Sequence, residues 1–141
     1  MMSFETQDDL AREQKAINTL ASLFGWQYQK LDPHDIDYKI LAEQDGVVSA
    51  AGYVEIKGRN KDIKDAYPLP VSASKIVKLY QKRLNPIIAW ACNDGVLYAK
   101  LDEIVGTIRV GGRPSRPGAV SDKEVMAYFD KQKGIKYVKF L

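Results

Sequence analysis

The stretch VEIKGRN, residues 54–60 of this 141-residue chain, gives the strongest indication of its fold. Successive side chains of an extended strand point to opposite faces, so Glu55 and Lys57 share one face. Val54 and Ile56 share the other face and are apolar. The pattern predicts a strand that is anchored on a core through one face and presents a carboxylate beside an ammonium group on the other.

The preceding stretch DIDYKI, residues 35–40, alternates in the same way. Asp35, Asp37 and Lys39 fall on one side, and apolar or aromatic residues fall on the other. If the two strands are neighbours, acidic groups from both meet in one small patch. Two carboxylates about 4 Å apart repel by roughly 4 kcal/mol at an effective dielectric near 20, so they need a neutralising cation to stay ionised.

Such a patch of oxygen ligands suits Mg²⁺, which binds one or two carboxylates together with water and substrate phosphate oxygens. A lysine two residues from the metal-binding glutamate can orient or deprotonate a water, or stabilise negative charge on a phosphate. The constellation therefore predicts metal-assisted hydrolysis of phosphodiesters.

Length and composition predict one domain, residues 1–141, that buries roughly 68% of its unfolded surface. Its single cysteine, Cys92, excludes an intramolecular disulfide and is compatible with a reducing cytosol. The sequence shows neither an apolar run long enough for a membrane span nor an export signal, so we expect a cytoplasmic protein. His34 is the only histidine, which argues against a histidine-based metal site and against a Ser-His-Asp triad.

The net charge of +3 is unevenly distributed. Between Val54 and Arg83 there are eight Lys or Arg residues and three acids. Basic charge beside an acidic metal patch is what a polyanionic substrate requires, because the acids alone repel phosphate. The alternative is a lysine-rich solvated surface.

Residues 7–24 are predicted to form an amphipathic helix, with Thr6 and Asp9 as a capping box and Gly25 as the stop. Glu13 falls inside its apolar stripe, where an acid is uncommon unless it is paired or binds metal. The alternative places Glu13 at the edge of the stripe, reaching solvent or an arginine.

The rest of the chain predicts strands at 26–31, 35–42, 47–58, 86–92, 96–101 and 136–141. Turns are predicted at 32–34, 44–46 and 93–95. A second helix is expected to be capped by Ser72 or Ser74 and to run to Leu84, after an irregular connection at 61–71. A short helix, capped at Ser121–Glu124, is predicted to run to Phe129.

Two basic groups are candidates for contacting a nucleic-acid backbone. Lysines of the second helix fall on its polar side, and Lys75 is the one nearest VEIKGRN; a solvated surface is the alternative. The Gly- and Pro-rich stretch 108–120 is either a loop that folds over a nucleic-acid backbone or an ordinary surface loop. The candidates for nucleic-acid binding are Arg59, Lys61, Lys75, Lys78, Arg113 and Arg116, and Arg109 lies in the same loop.

The order of a helix with Glu, a strand with Asp, a strand with Glu-x-Lys, a helix and a strand resembles the PD-(D/E)XK nuclease superfamily. That group includes many restriction enzymes, archaeal Holliday junction resolvases and small phage nucleases. The resemblance implies an α/β fold with a restriction-endonuclease-like αβββαβ core, in which a mixed central sheet is flanked by helices. It covers residues 10–100 or so and leaves the C-terminal 40 residues outside.

The resemblance also implies residue roles. Asp37 and Glu55 match the acids that bind Mg²⁺, with Mn²⁺ as an alternative, and Lys57 matches the lysine that assists the attacking water. Glu13 matches the accessory glutamate of the first helix, so it is a candidate for both catalysis and metal binding. The proline expected before the aspartate is not adjacent, which leaves the choice between Asp35 and Asp37 open; we favour Asp37 and keep Asp35 as a further metal candidate.

Three functions compete. The first is a Mg²⁺-dependent DNA endonuclease, and the second is a nucleic-acid-binding module that keeps the fold without cleaving, with the patch as a structural salt bridge. The third is a partner-binding subunit whose acid and lysine face is a solvated surface. The sequence does not decide between DNA and RNA, nor whether two copies pair as a homodimer.

Overall fold

The structure of the chain, a computed structural model, describes residues 7–32, 35–111 and 124–141. No helix of these residues is both long enough and apolar enough to cross a membrane. The helices and strands are α1 (Gln7–Phe24), β1 (Gln27–Lys30), β2 (Tyr38–Gln44), β3 (Val47–Gly58), β4 (Leu69–Ser72), α2 (Ala73–Gln81), β5 (Pro86–Ala91), β6 (Gly95–Lys100), β7 (Thr107–Gly111), β8 (Glu124–Phe129) and β9 (Lys136–Lys139).

The central sheet has six strands in the order β1-β2-β3-β5-β6-β9. All neighbours are antiparallel except β3 and β5, which pair in parallel. A parallel pair needs a crossover connection, and here the crossover contains β4 and α2. The predicted mixed sheet and the predicted succession of helix, three strands, helix and strand are confirmed, with β4 as an addition.

Helix α1 has the predicted bounds because its sequence carries both an apolar stripe and a stop. Ala16, Ile17 and Leu20 are fully buried along one side. Gly25 follows at a φ of +70°, a left-handed conformation that favours glycine and ends the helix. The buried stripe packs in one cluster with Val54 and Ile56 of β3, so α1 covers the apolar face that VEIKGRN predicts.

The opposite face of the sheet carries a second apolar cluster, built around Trp90 of β5 and Leu79 of α2. Glu55 pairs with Ile88 and Lys57 with Trp90 in the β3–β5 ladder. Because residues side by side in a ladder share a face, Glu55 and Lys57 lie on the side covered by α2. Helix α1 and the polar pair Glu55 and Lys57 therefore lie on opposite faces of the sheet, as the alternation in the sequence predicts.

Cys92 follows β5 and is fully buried in this second cluster. Its backbone N–H donates to the carbonyl of Gly95, across the predicted 93–95 turn. Gly95 is required there because a Cβ would collide with the carbonyl oxygen of Val138 in β9. The turn and the edge strand β9 are therefore tightly packed against each other.

A three-stranded antiparallel sheet in the order β4-β8-β7 corrects three predictions. Residues 108–111, predicted as the beginning of a loop, belong to strand β7. Residues 124–129 form strand β8 and not a helix, because they pair with strands on both sides. The predicted irregular connection at 61–71 contains β4 and, at Ile63–Asp65, a 3₁₀ turn. Pro70 is tolerated in β4 because this strand lies at the edge of the small sheet, where a missing N–H breaks no second ladder.

Other boundaries differ from the predictions by a few residues. β2 begins at Tyr38 and not at Asp35. Helix α2 ends at Gln81, three residues before Leu84, and Arg83 and Asn85 follow with φ values of +54° and +39°. Two non-glycine residues in the left-handed region cannot continue a helix.

Some predictions concern residues outside those that the structure describes. These are the capping residue Thr6, the turn residues Pro33 and His34, the capping residue Ser121, and the basic candidates Arg113 and Arg116.

Candidate active site

Asp37 and Glu55 lie side by side where β2 and β3 meet. The β2–β3 ladder ends with Tyr38 opposite Val54, so one further step places Asp37 opposite Glu55. The backbone N–H of Ile56 donates to Oδ2 of Asp37 over 2.8 Å and holds that carboxylate against β3. The two acids named by the sequence therefore come from separate strands and meet at one position.

Glu55 is the one charged side chain that is buried among the described residues, with 4% of its surface exposed. Its Oε1 is buried and has no hydrogen-bond partner there. Its Oε2 lies 3.7 Å from Nζ of Lys75 on α2. A buried carboxylate with one free oxygen is costly, because desolvation penalises the charge and no donor replaces the lost water.

The pKa values of the two acids show this cost. Burial, followed by the charge of Asp37, raises the pKa of Glu55 to about 7. Burial also raises the pKa of Asp37, although the N–H of Ile56 partly counteracts it, and the charge of Glu13 raises it further. Lys75 acts in the opposite direction on both acids. A group with more positive charge than one lysine would restore the carboxylates to their ionised forms.

Glu13 lies close enough to affect both acids but is occupied by its own partners. Its Oε2 accepts hydrogen bonds from the hydroxyl of Tyr38 over 2.8 Å and from Nζ of Lys30 over 2.7 Å. The described residues contain no group of three or more His, Cys, Asp and Glu side chains that could hold a metal ion. The expected convergence of three carboxylates is therefore absent there, and the site consists of the pair Asp37 and Glu55.

Asp35 belongs to a different cluster. Its two oxygens contact Nζ of Lys82 at the end of α2, at 2.8 and 2.9 Å. The hydrogen bond from Lys82, and next that from the N–H of Ile36, lowers the pKa of Asp35. Lys82 also lies over the ring of Tyr53, 5.1 Å from its centroid. Asp35 is thus satisfied where it is, and the geometry supports the preference for Asp37.

Lys57 is exposed at the end of β3, two residues from Glu55 and on the same face. Within the described parts of the chain it forms no ion pair or hydrogen bond. An ammonium group that is anchored by its strand and left unpaired is available to a water or a phosphate beside the carboxylates.

The predicted backbone-binding residues fall into two groups. Lys61 and Lys78 are exposed. Arg59, in contrast, donates from Nε to the carbonyl of Ala66 over 2.9 Å and from Nη2 to that of Pro68 over 3.4 Å. This guanidinium holds the connection to β4, a use that the sequence analysis did not foresee.

The sequence analysis also missed the groups that surround the acids. Lys30 and Tyr38 are opposite each other in the β1–β2 ladder, and both reach Glu13. A signal was present, because Lys30 lies near the end of the predicted strand 26–31 and Tyr38 lies in the next predicted strand, 35–42. Without the register of the two strands, however, their meeting with a residue of α1 was not predictable.

The donor set fits a divalent cation. Two adjacent carboxylates, one with a buried free oxygen, are hard oxygen ligands of the kind that Mg²⁺ binds together with water. Asp37 and Glu55 would hold the ion, and the exposed Lys57 lies on the same side.

The chain was compared with known proteins. Residues 2–135 match the family model described as "Phage putative PDDEXK endonuclease". No curated protein and no solved structure gives a significant match. The family match extends the resemblance seen in the sequence, which stopped near residue 100, over the second sheet. With nearly the whole chain covered, the protein belongs to the phage PDDEXK endonuclease family.

Proposed function

We propose that the protein is a Mg²⁺-dependent endonuclease that hydrolyses phosphodiester bonds of DNA, with Mn²⁺ as an alternative ion. Membership of an endonuclease family supports nuclease chemistry in general. The metal requirement, the DNA substrate and the residue roles are our own inference from the site.

The observation that carries the proposal is the buried, unpartnered oxygen of Glu55 beside Asp37. A structural salt bridge gains nothing from leaving a carboxylate oxygen buried without a donor. A metal ligand does gain, because the oxygen is free to coordinate a cation. A buried carboxylate whose pKa is strongly shifted by desolvation and by a neighbouring charge is a candidate for a functional site.

The residues have separate tasks in this proposal. Asp37, fixed by the N–H of Ile56, and Glu55, fixed by burial, hold the cation, which when bound polarises the phosphate and lowers the pKa of water. Lys57 either accepts the proton of the attacking water as a neutral amine or, as an ammonium group, orients that water and stabilises the negative charge that develops on the phosphate. Glu13 holds Tyr38 and Lys30 beside the pair, and through them acts on its geometry.

Exposed lysines near the site supply the attraction for the DNA backbone. Lys61 lies just after β3 and Lys78 on α2, and both are exposed. Contacts of this kind bind phosphates without reading sequence. We therefore expect DNA affinity that falls steeply with salt concentration.

The test is incubation of supercoiled and branched DNA with the protein in Mg²⁺, Ca²⁺ or EDTA. We expect cleavage in Mg²⁺, binding with little cleavage in Ca²⁺, and no cleavage in EDTA. Cleavage of equal rate in EDTA would contradict the proposed metal site. An RNA duplex and a single-stranded RNA in the same assay determine whether the substrate is DNA alone.

The second candidate is a nucleic-acid-binding module that does not cleave. The ion pair between Glu55 and Lys75 favours it, because it neutralises part of the acidic patch without a metal. Binding of DNA in all three conditions with no cleavage in any would support this candidate. Neither binding nor cleavage would support a partner-binding role.

A further inference from the structure

We propose that Lys75 is the resident counter-ion of Asp37 and Glu55, that a divalent cation displaces it, and that the released ammonium then contacts a substrate phosphate. The inference rests on the proposed function and adds a coupling between metal binding and substrate binding. In this inference Lys75 pairs with Glu55 before the cation enters and with a substrate phosphate afterwards.

The ion pair between Lys75 and Glu55 is weakly held. The distance of 3.7 Å between Nζ of Lys75 and Oε2 of Glu55 exceeds the 2.7–2.9 Å of a charge-assisted hydrogen bond. It also exceeds the 2.5–2.8 Å of the shortest contacts that Lys30, Lys82 and Lys139 make with their acids. Lys75 is therefore held by charge and not by a directed hydrogen bond, and its attachment is the weakest of these four.

The charges at the site explain why a divalent cation displaces Lys75 from Glu55. Lys75 lowers the pKa of both Asp37 and Glu55, so its charge acts on the two carboxylates together. A divalent cation on the same oxygens brings twice the charge and comes closer. Once the pair is neutralised, Lys75 loses its attraction to Glu55 and is repelled by the cation.

The position of Lys75 on α2 explains why its released ammonium group can contact a substrate phosphate. The Lys75 side chain is 35% exposed, against 6% for Glu55, so Lys75 borders solvent on the side from which a phosphate can arrive. Lys78, one turn further along α2, is exposed. A phosphate backbone that enters beside the metal can therefore be contacted by both lysines from α2.

The experiment compares Lys75→Met with Lys100→Met, the same change at an exposed lysine that lies at the end of β6, away from the junction of β2 and β3. Ca²⁺ binding is measured by isothermal titration calorimetry at pH 8.5. We expect Lys75→Met to bind Ca²⁺ about five-fold or more tightly than the natural protein, because the competing charge is gone. Lys100→Met is expected to bind it with unchanged affinity.

A second readout follows the release. Ca²⁺ should strengthen binding of a non-cleaved DNA duplex more in the natural protein than in Lys75→Met. In the presence of Ca²⁺ the salt dependence of DNA binding should lose about one phosphate contact in the variant. A merely structural lysine would change neither quantity.

The outcomes separate this inference from the proposed function. If the natural protein cleaves DNA with Mg²⁺ while Lys75→Met binds Ca²⁺ with equal or lower affinity, the displacement of Lys75 is wrong and the nuclease remains. If the natural protein binds no divalent cation, both proposals fail. Lys75→Gln replaces Lys75→Met should the latter not fold, as judged by circular dichroism.

Discussion

Two acid and lysine pairs among the described residues differ in a way that marks the site. At the surface, Asp94 and Lys139 approach to 2.5 Å, with 31% and 58% of their side chains exposed. In the interior, Glu55 and Lys75 stay 3.7 Å apart although Glu55 is nearly inaccessible. The pKa of Asp94 is lowered, chiefly by its hydrogen bond from Lys139, whereas that of Glu55 is raised. The exposed Asp94, which water could solvate, thus has a close partner. The nearly inaccessible Glu55 has only a distant one.

The buried pair of Glu55 and Lys75 therefore does not serve the stability of the folded state. A surface pair contributes little and costs little, but a buried and underpaired carboxylate destabilises the folded state. Asp37 adds to that cost by standing beside Glu55.

Glu55→Gln should reduce cleavage to the level of the EDTA control, because the amide keeps the shape and loses the charge that binds the cation. Asp94→Asn, which keeps the Oδ1 acceptor used by the N–H of Ile63, should cleave at the natural rate. The measurement is initial nicking of supercoiled DNA in Mg²⁺. Equal activity of both variants would remove the functional distinction between the two acids.

Lys57→Ala should slow cleavage about 10²- to 10⁴-fold, the range of a lost proton-transfer group, while Ca²⁺-dependent DNA binding stays close to natural. The matched control is Lys100→Ala, an exposed lysine at the end of β6 that is remote in the sheet order from β2. Single-turnover rates and fluorescence anisotropy separate the two effects. A variant that cuts at the natural rate would show that Lys57 has no role in the reaction.

Asp37→Asn should impair cleavage far more than Asp35→Asn. Asp37 lies beside Glu55, whereas Asp35 is already paired with Lys82. We expect Ca²⁺ affinity to fall clearly in Asp37→Asn and to stay close to natural in Asp35→Asn, measured by calorimetry. The reverse order would assign the first metal acid to Asp35.

The stability of the metal-free protein should fall as pH rises from about 4.5 to about 7. The pKa of Glu55 is about 7 in the folded chain, against an ordinary value of 4.5, so the folded state keeps a proton that the unfolded state has already lost. The shift corresponds to at most about 3 kcal/mol. Urea unfolding in EDTA at pH 5 and pH 8 measures it.

Glu55→Gln is the control for that measurement, since it carries no proton to lose at this position. Its stability should depend less on pH, with a remainder from Asp37, whose pKa is also raised. At pH 8 the variant should be the more stable of the two. An identical pH profile in both proteins would mean that Glu55 is solvated and does not differ from Asp94 in this respect.

The smallest effect is expected at the surface pair. Asp94→Asn should change the melting temperature by no more than about 2 °C, because exposed ion pairs contribute little and are screened by salt. Scanning calorimetry at low and high salt tests this. A loss as large as that expected for a core change would place Asp94 among the residues that hold β9.

The sequence was sufficient where short-range signals agree. The bounds of α1 follow from its stripe and from Gly25, and β3 was predicted in full because its alternation is strong. The neighbourhood of Asp37 and Glu55 followed from the antiparallel turn between β2 and β3. Local periodicity and turn residues therefore predicted the frame of the site.

The rest required contacts between distant segments. The stretch EVMAYF, residues 124–129, has the composition of a helix or a strand, and pairing with β4 and β7 decides between them. Likewise, nothing local to Lys75 shows that its ammonium meets Glu55, and nothing local to Arg59 shows that it holds a connection by two carbonyls. Side-chain partners across elements depend on packing, which periodicity does not report.

Cys92 gives the molecule a built-in reporter. Its thiol is enclosed by the core beneath α2, and burial, followed by the charge of Asp94, raises its pKa to about 11. The thiolate is the form that reacts with alkylating reagents, and it is scarce and shielded in the folded chain. Labelling of the single cysteine in the natural sequence will therefore count the molecules in which the core cluster around Cys92 has opened, without any engineered probe.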